Sequence, residues 1–86
     1  MADFQLKIFT PAGLLLDDTT SEVKLPSAVG EIGVLPQHTR YCGLIGDGIL
    51  EFWQPGQKAR RVKLSGGFCS FADQALVILA DQAEIQ

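Results

Sequence analysis

The sequence has 86 residues, of which 47% are apolar and 20% are charged. This composition suits one compact domain over residues 1–86 and excludes a disordered chain, which would carry more charge and fewer apolar residues. The net charge of −3 argues against a general nucleic-acid or anionic-membrane binder, because such proteins are usually basic.

The sequence shows no signal for secretion or membrane insertion. No apolar run approaches the roughly 18 residues that a membrane-spanning helix needs, and residues 1–4 lack the basic and apolar regions of a signal peptide. We therefore expect a soluble cytoplasmic domain. In that compartment Cys42 and Cys69 are predicted to be reduced and buried, with Cys42 filling the core.

Alternating apolar and polar residues predict β-strands at residues 4–8 and 21–25. The positions expected to face the core are Phe4, Leu6, Ile8, Val23 and Leu25. Pro11 and Gly13 predict a turn after the first strand. The three leucines that follow are too few for a helix, and the segment is expected to end at Asp17.

Residues 30–38, GEIGVLPQH, form a segment that we call the lip. Its alternating residues predict a very short strand between two kinks at Gly30 and Gly33, where glycine allows conformations that side chains forbid. A proline then ends the strand, because proline has no N–H for a β-ladder. The lip is predicted to present Glu31 near one end and His38, the single histidine of the sequence, at the other.

The second half of the chain predicts three further strands, at residues 40–45, 49–53 and 60–64. The first is expected to be closed by a turn at residues 46–48, and the other two to form a hairpin around residues 54–57. In the return strand Val62 and Leu64 are expected to face the core.

The end of the chain is ambiguous from periodicity alone. A glycine pair at residues 66–67 indicates a bulge or a close approach by another backbone. Residues 75–80 fit either a helical stripe or a strand buried on both faces. The β-branched Val77 and Ile78 favour the strand. Because strand and turn signals recur along the whole chain, we predict a β-sandwich or barrel.

Three ordered motifs carry a family resemblance. Residues 30–38 look like the G-E-x-G-x-x-P-x-H signature of the epsilon subunit of F-type ATP synthases. Residues 64–68 match the S-G-G strand of that family, and residues 79–83 resemble its L-A-D-x-A segment. The match runs from about Phe4 to Ala83 with matching spacing, so it covers nearly the whole chain.

The resemblance implies an all-β fold, a flattened sandwich of about ten short strands. It also implies a non-catalytic rotor subunit at the foot of the central stalk. In the family this domain links the gamma subunit to the polar loops of the membrane c-ring and couples proton-driven rotation to ATP synthesis. The implied location is peripheral, on the cytoplasmic face of the bacterial plasma membrane, with no cofactor and no nucleic acid.

The resemblance also implies two contact regions. The expected c-ring contact consists of Gly30, Glu31, Gly33 and His38, and the expected gamma contact of Thr10, Tyr41, Cys42 and Gly43. An arginine that met the unscreened Glu31 carboxylate would contribute about 1.5–3 kcal/mol if the pair were desolvated. The alternative from the residues alone is that Glu31 is a solvated turn residue and His38 satisfies a loop carbonyl.

The sequence departs from the family in two places. The family continues past its L-A-D-x-A segment into two C-terminal helices that bring ATPase inhibition and, in some members, ATP binding. This sequence stops at Gln86, so neither property is assigned to it. After His38 the family usually has Ala-Pro-Leu, whereas this sequence has Thr39, Arg40 and Tyr41, which alters the expected contact edge.

Other chemistries have little support in the sequence. His38, Cys42 and Cys69 lack the paired spacing of a zinc site, and no oxyanion-forming motif adjoins Cys42 for nucleophilic catalysis. The glycine pair lacks the Lys and Ser or Thr of a phosphate-binding loop.

The alternative function from another class is a small β-barrel that binds single-stranded nucleic acid. It depends on basic and aromatic residues of the middle hairpin: Phe52, Trp53, Lys58, Arg60, Arg61 and Lys63.

Overall fold

The computed structural model describes residues 3–27, 30–34 and 41–86, and these ranges contain strands and turns but no helix. The eight strands are β1 (Phe4–Thr10), β2 (Gly13–Thr20), β3 (Glu22–Ser27), β4 (Gly30–Val34), β5 (Tyr41–Ile45), β6 (Gly48–Trp53), β7 (Arg60–Ala72) and β8 (Ala75–Ile85). The predicted all-β class is confirmed, with eight strands in the described ranges where about ten were expected. Within those ranges no helix could cross a lipid bilayer.

The eight strands belong to one sheet that remains open. Its order is β2-β1-β8-β7-β5-β3-β4, and β6 lies between β3 and β7. The sheet folds over so that side chains from both halves meet in one core. The buried apolar residues are Phe4, Leu6, Ile8, Leu16, Val23, Leu25, Ile45, Leu50, Phe52, Val62, Leu64, Cys69, Phe71, Leu76, Ile78 and Ala80.

Period-two alternation predicted the inward-facing positions correctly. All seven positions expected to face the core are at most 2% exposed: Phe4, Leu6, Ile8, Val23, Leu25, Val62 and Leu64. The ambiguous segment at residues 75–80 is a strand, as favoured, and it continues to Ile85 as part of β8. This strand is long because β8 pairs in parallel with β1 on one side and antiparallel with β7 on the other.

Two predicted strand boundaries are wrong. β2 does not end at Asp17 but runs to Thr20, because its pairing with β1 continues from Asp17 opposite Lys7 to Thr20 opposite Phe4. β4 does not lie between kinks at its glycines but includes both of them, with Gly30 opposite Ser27 of β3 and Gly33 opposite Lys24.

The turn predicted at residues 46–48 is also wrong, because the chain does not reverse its direction there. β5 pairs with β7 up to Ile45 opposite Gly67, and β6 resumes with Gly48 opposite Leu64. The two strands therefore follow β7 in one continuous register, and the glycine-rich segment only interrupts the ladder. At this interruption the Gly46 N–H donates to the carbonyl oxygen of Pro26 on β3, at 2.9 Å.

At the glycine pair of β7 the side chains that face the core change from even-numbered to odd-numbered residues. Before the pair, Val62 and Leu64 face the core; after it, Cys69 and Phe71 do. Because Leu64 and Cys69 are an odd number of residues apart, strict alternation cannot bury both. Positive φ at the two glycines, +69° and +138°, absorbs the change. β8 makes the same exchange between Ala80, which is buried, and Ala83, which packs against the core.

The predicted close approach of two backbones occurs at Gly67. A Cβ atom there would overlap the carbonyl oxygen of Leu79 and lie 2.9 Å from the Cα atom of Ala80. The β7–β8 register stays continuous across this level, with Ser65 opposite Gln82 and Gly67 opposite Ala80, so no residue is inserted as in a bulge.

The hairpin turn predicted around residues 54–57 is confirmed. Between β6 and β7 the Gln57 N–H donates to the carbonyl oxygen of Gln54 at 3.0 Å, and Gly56 supplies a φ of +74°. Between β7 and β8 a two-residue turn places Asp73 and Gln74 at φ values of 53° and 60°.

Candidate functional site

The predicted c-ring contact begins on an edge of the sheet. Glu31 lies in β4 opposite Pro26, and β4 stands at one end of the strand order. Gly30 and Gly33 belong to the same strand. His38 lies outside the described residues. Among the described strands the first half of the lip is therefore an edge strand, a position at which another chain can pair.

The predicted gamma contact falls on two strands. Thr10 is the last residue of β1 and pairs with Gly13 across the β1–β2 turn. Tyr41, Cys42 and Gly43 begin β5 and lie opposite Phe71, Ser70 and Cys69 of β7. The two groups are not neighbours in the sheet, because β8 and β7 lie between β1 and β5.

The prediction that Cys42 fills the core is wrong. Cys42 is exposed, because it takes the outward position opposite Ser70, whereas its diagonal neighbour Cys69 faces inward and is buried. Both thiols are free. Burial raises the pKa of the Cys69 thiol above its ordinary value of 9.0, and a backbone hydrogen bond with Gly43 opposes that shift.

An exposed apolar row crosses the outer face of the sheet. Strand register places Leu14 opposite Phe9, Phe9 opposite Leu79, Leu79 opposite Phe68, and Phe68 opposite Leu44. The exposed fractions are 53% for Leu14, 53% for Leu79, 42% for Phe68 and 65% for Leu44, and Phe9 is half-buried. We call these five residues the outer row. With neighbouring strands about 4.8 Å apart, it is about 19 Å long.

The outer row is the kind of surface that marks an interaction site. Scattered apolar residues are normal on protein surfaces and need no explanation. A contiguous apolar line across neighbouring strands is different, because small domains rarely leave such surface open to water unless a partner covers it. The row also adjoins both groups of the predicted gamma contact, since Thr10 follows Phe9 and Gly43 precedes Leu44.

Sequence reasoning missed the outer row. The strand at residues 75–80 was expected to be buried on both faces, yet Leu79 is exposed. The signal in the sequence was the alternation of Leu79 with Ile78 and Ala80, which are buried. What the sequence could not supply is the register that aligns Leu79 with Phe9 and Phe68, because that alignment joins residues far apart in the chain.

The middle hairpin does not present the surface that a nucleic-acid binder needs. Phe52 is fully buried and cannot stack on a base. Arg60 Nη1 lies 2.9 Å from Asp18 Oδ2, and Arg61 Nε lies 3.1 Å from Glu51 Oε2, so both guanidinium groups already have acidic partners. This alternative function is not favoured.

The described surface has a depression between β7 and β8 but no cluster of metal ligands. Within residues 3–27, 30–34 and 41–86, no group of three or more His, Cys, Asp or Glu side chains could hold a metal ion. A depression of about 250 Å³ is lined by Lys63, Leu64, Ser65, Gln82, Ala83 and Glu84. Its charged residues, Lys63 and Glu84, lie opposite each other on β7 and β8 and offset each other's charge.

The sequence is similar to known proteins over nearly its full length. The family model for the ATP synthase delta/epsilon chain β-sandwich domain matches residues 3–86. The ATP synthase epsilon chain of Granulibacter bethesdensis is 37% identical over 83 residues, which are 96% of this chain and 62% of that protein. The epsilon chain of Desulfitobacterium hafniense is 37% identical over 81 residues, with coverages of 94% and 61%. The chain thus spans about three fifths of the length of these relatives.

Two solved structures have the same fold. A chain of the Euglena gracilis mitochondrial ATP synthase, in a structure of OSCP, F1 and the c-ring, superposes with a TM-score of 0.89 at 25% identity. The superposition covers 99% of this chain and 54% of that one. A chain of the Tetrahymena thermophila mitochondrial ATP synthase, in a structure of the central stalk and c-ring, gives a TM-score of 0.75 at 13% identity and covers 93% of this chain and 64% of that one. The Tetrahymena likeness is evidence for the fold alone.

Proposed function

The chain belongs to the family of ATP synthase delta/epsilon chain β-sandwich domains, and from this premise we propose that it is a non-catalytic domain of the ATP synthase central stalk. In this role it joins the gamma subunit to the polar loops of the c-ring, so that the ring and the stalk turn together. The names of its relatives and the assemblies that contain its structural neighbours support this role.

The outer row carries the proposal, and we assign the gamma contact to it. Burying an apolar side chain that is half exposed contributes roughly 1 kcal/mol, so the four exposed residues of the row can together hold a partner firmly. Thr10, Tyr41, Cys42 and Gly43 then lie on or beside the contact edge. We expect these four residues to shape the backbone at the contact and to form its rim, because the apolar surface that becomes buried belongs to the outer row.

The c-ring contact is assigned to the edge formed by β4, with Glu31 and His38 as the polar groups and Gly30 and Gly33 as the flanking glycines. In the strand order β4 lies beyond β5 and β3, whereas the outer row runs from β2 to β5. The two assigned contacts therefore use different parts of the sheet. A closely packed core between them resists deformation, which is what a coupling element requires.

The proposed location follows from the proposed complex. The domain is peripheral to the membrane and held there by its partners, on the cytoplasmic face in a bacterial cell. It needs no cofactor for a mechanical role, and we assign none.

Binding to the gamma subunit of the same ATP synthase tests the assignment of the outer row. Leu79→Asp introduces a charge at the centre of the row, and we expect it to weaken binding at least tenfold, measured by titration calorimetry. Ile49→Asp is the matched control: Ile49 is 41% exposed and lies opposite Lys63, away from the outer row. Equal affinities of the two variants would contradict the assignment.

The c-ring contact is tested separately with Glu31→Ala combined with His38→Ala in the assembled enzyme. We expect a folded domain that still binds gamma but couples poorly, seen as reduced ATP-driven proton pumping at unchanged ATP hydrolysis. Normal assembly and pumping in this double variant would show that the lip is not the ring contact.

A further inference from the structure

The two flanks of the outer row differ in charge. On the flank beyond Leu79, Asp81 occupies the next outward position of β8, about 7 Å farther along the strand. Asp47 lies at the same level of the sheet, on the other side of β7, with its Oδ1 atom 3.4 Å from Ser65 Oγ. Both aspartates are exposed. This flank is therefore negative.

The described residues of the opposite flank carry no comparable net charge. Lys7 and Asp17 lie opposite each other on β1 and β2 and offset each other's charge. The remaining positions of that flank are Val77, Ser70 and Cys42, which are uncharged. Among the described residues, a partner that lies along the outer row thus meets a net negative charge on one side only.

Asp81 is exposed, so a partner can reach its carboxylate. Its carboxylate lies over Gly66: a Cβ atom at Gly66 would come within 2.7 Å of Asp81 Oδ2, so the absence of a side chain there leaves the space that the carboxylate occupies. Among the described residues no hydrogen bond or ion pair engages the Asp81 carboxylate. An exposed carboxylate without a cation beside an apolar row is a ready acceptor for a lysine or arginine.

The spacing of the outer row suits a helix that crosses the strands. Its side chains repeat about every 4.8 Å, and one face of an α-helix repeats about every 5.4 Å. Over the four intervals of the row the two repeats diverge by about 2.4 Å in total, so a helix centred on Leu79 is offset by about 1.2 Å at each end. A helix of about 13 residues with one apolar stripe would cover the whole row.

We propose that the outer row binds an amphipathic helix of the gamma subunit that carries a lysine or arginine on the side facing Asp81. This inference rests on the proposed function and adds the chemistry of the partner. The apolar stripe supplies affinity, while the negative flank fixes the direction in which the helix lies. A reversed helix would place its cation over the flank on which Lys7 and Asp17 offset each other.

Asp81→Asn tests the charge, since it keeps the shape and removes only the negative charge. We expect it to weaken gamma binding about two- to fivefold at low salt and to make the affinity less sensitive to salt. Asp17→Asn is the matched control, an exposed acid on the other flank, and we expect it to leave the affinity unchanged. If Asp81→Asn binds like the parent chain while Leu79→Asp fails to bind, the charge recognition is wrong and the docking of gamma on the row stands. If neither variant loses affinity, the charge recognition and the docking of gamma on the outer row are both wrong.

Two designed 18-residue peptides test the helix. Both carry one leucine stripe; one has arginines along one side of it, and the other has glutamates there. We expect the arginine peptide alone to bind the 86-residue chain and to gain helical circular dichroism when it binds. Equal binding of both peptides, or binding without a gain in helical signal, would overturn the proposal.

Discussion

Gly67 offers a sharp test of how β7 and β8 are held together. In Gly67→Ala the new Cβ atom would overlap the Leu79 carbonyl oxygen and lie 2.9 Å from the Ala80 Cα atom. These are backbone atoms of a strand that is paired on both sides, so they cannot move aside as the end of a flexible side chain could. The substitution must therefore push β8 away from β7 or abandon the φ of +138°.

The loss of stability expected for Gly67→Ala can be estimated by comparison with a second glycine. Gly13 has a similar φ of +121°, but a Cβ atom there would meet nothing within 4 Å. Gly13→Ala therefore carries only the cost of a side chain in this backbone region, about 1–3 kcal/mol. Gly67→Ala carries that cost and the clash, which we expect to add at least about 2 kcal/mol. For a domain of 86 residues, whose free energy of unfolding is about 4–13 kcal/mol, this loss approaches global unfolding.

Urea unfolding followed by tryptophan fluorescence measures both variants against the parent chain. We expect Gly13→Ala to remain folded with a lower midpoint, and Gly67→Ala to unfold at far lower urea or to fail to fold. Equal losses at the two positions would show that the close approach of the backbones at Gly67 is not present in solution.

Four further predictions follow from buried and paired groups. Thr20 is fully buried and its hydroxyl lies 2.6 Å from the Trp53 carbonyl oxygen, so Thr20→Val should cost about 1–2 kcal/mol in urea unfolding while Thr20→Ser costs less. The raised pKa of Cys69 means that, above the ordinary thiol pKa of 9.0, the unfolded chain releases a proton that the folded chain retains. Stability should therefore fall as pH rises above about 9, and Cys69→Ala should show a smaller decline. A thiol reagent should label Cys42 in the folded chain and Cys69 only after unfolding, and two labels on the folded chain would contradict this burial. Because Phe52 is buried and Arg60 and Arg61 are paired, a fluorescent single-stranded oligonucleotide should show no saturable binding at low salt; tight, salt-sensitive binding would revive the alternative function.

Local periodicity was enough to predict most of the strands. A strand half buried against one core has period two, and that pattern is written in consecutive residues such as Phe4, Leu6 and Ile8. The glycine pair of β7 was predictable for a similar reason, since two adjacent glycines in a strand indicate a backbone contact. The end of β2 was not predictable from local sequence. Asp17 and Asp18 have low strand propensity, but pairing with β1 outweighs it and extends the strand to Thr20.

The features that depend on register could not be predicted. The segment at residues 46–48 resembles a turn in sequence, but pairing of β5 and β6 with β7 keeps the chain running in one direction. The outer row has the same origin, because Leu14 and Leu79 become parts of one surface only when the sheet is assembled. Residue type alone predicts that Cys42 fills the core. The register instead pairs Gly43 with the buried Cys69, so Cys42, one residue earlier, faces outward.

The most direct test of the central claim is a cross-linking measurement in the assembled ATP synthase that contains this chain. A photoreactive amino acid is placed at Leu79, at the centre of the outer row, or at Ile49, away from it. We predict that position 79 cross-links to the gamma subunit and that position 49 does not. Cross-linking to gamma from position 49 alone, in an enzyme that still couples, would contradict the claim that the outer row is the surface that binds the stalk.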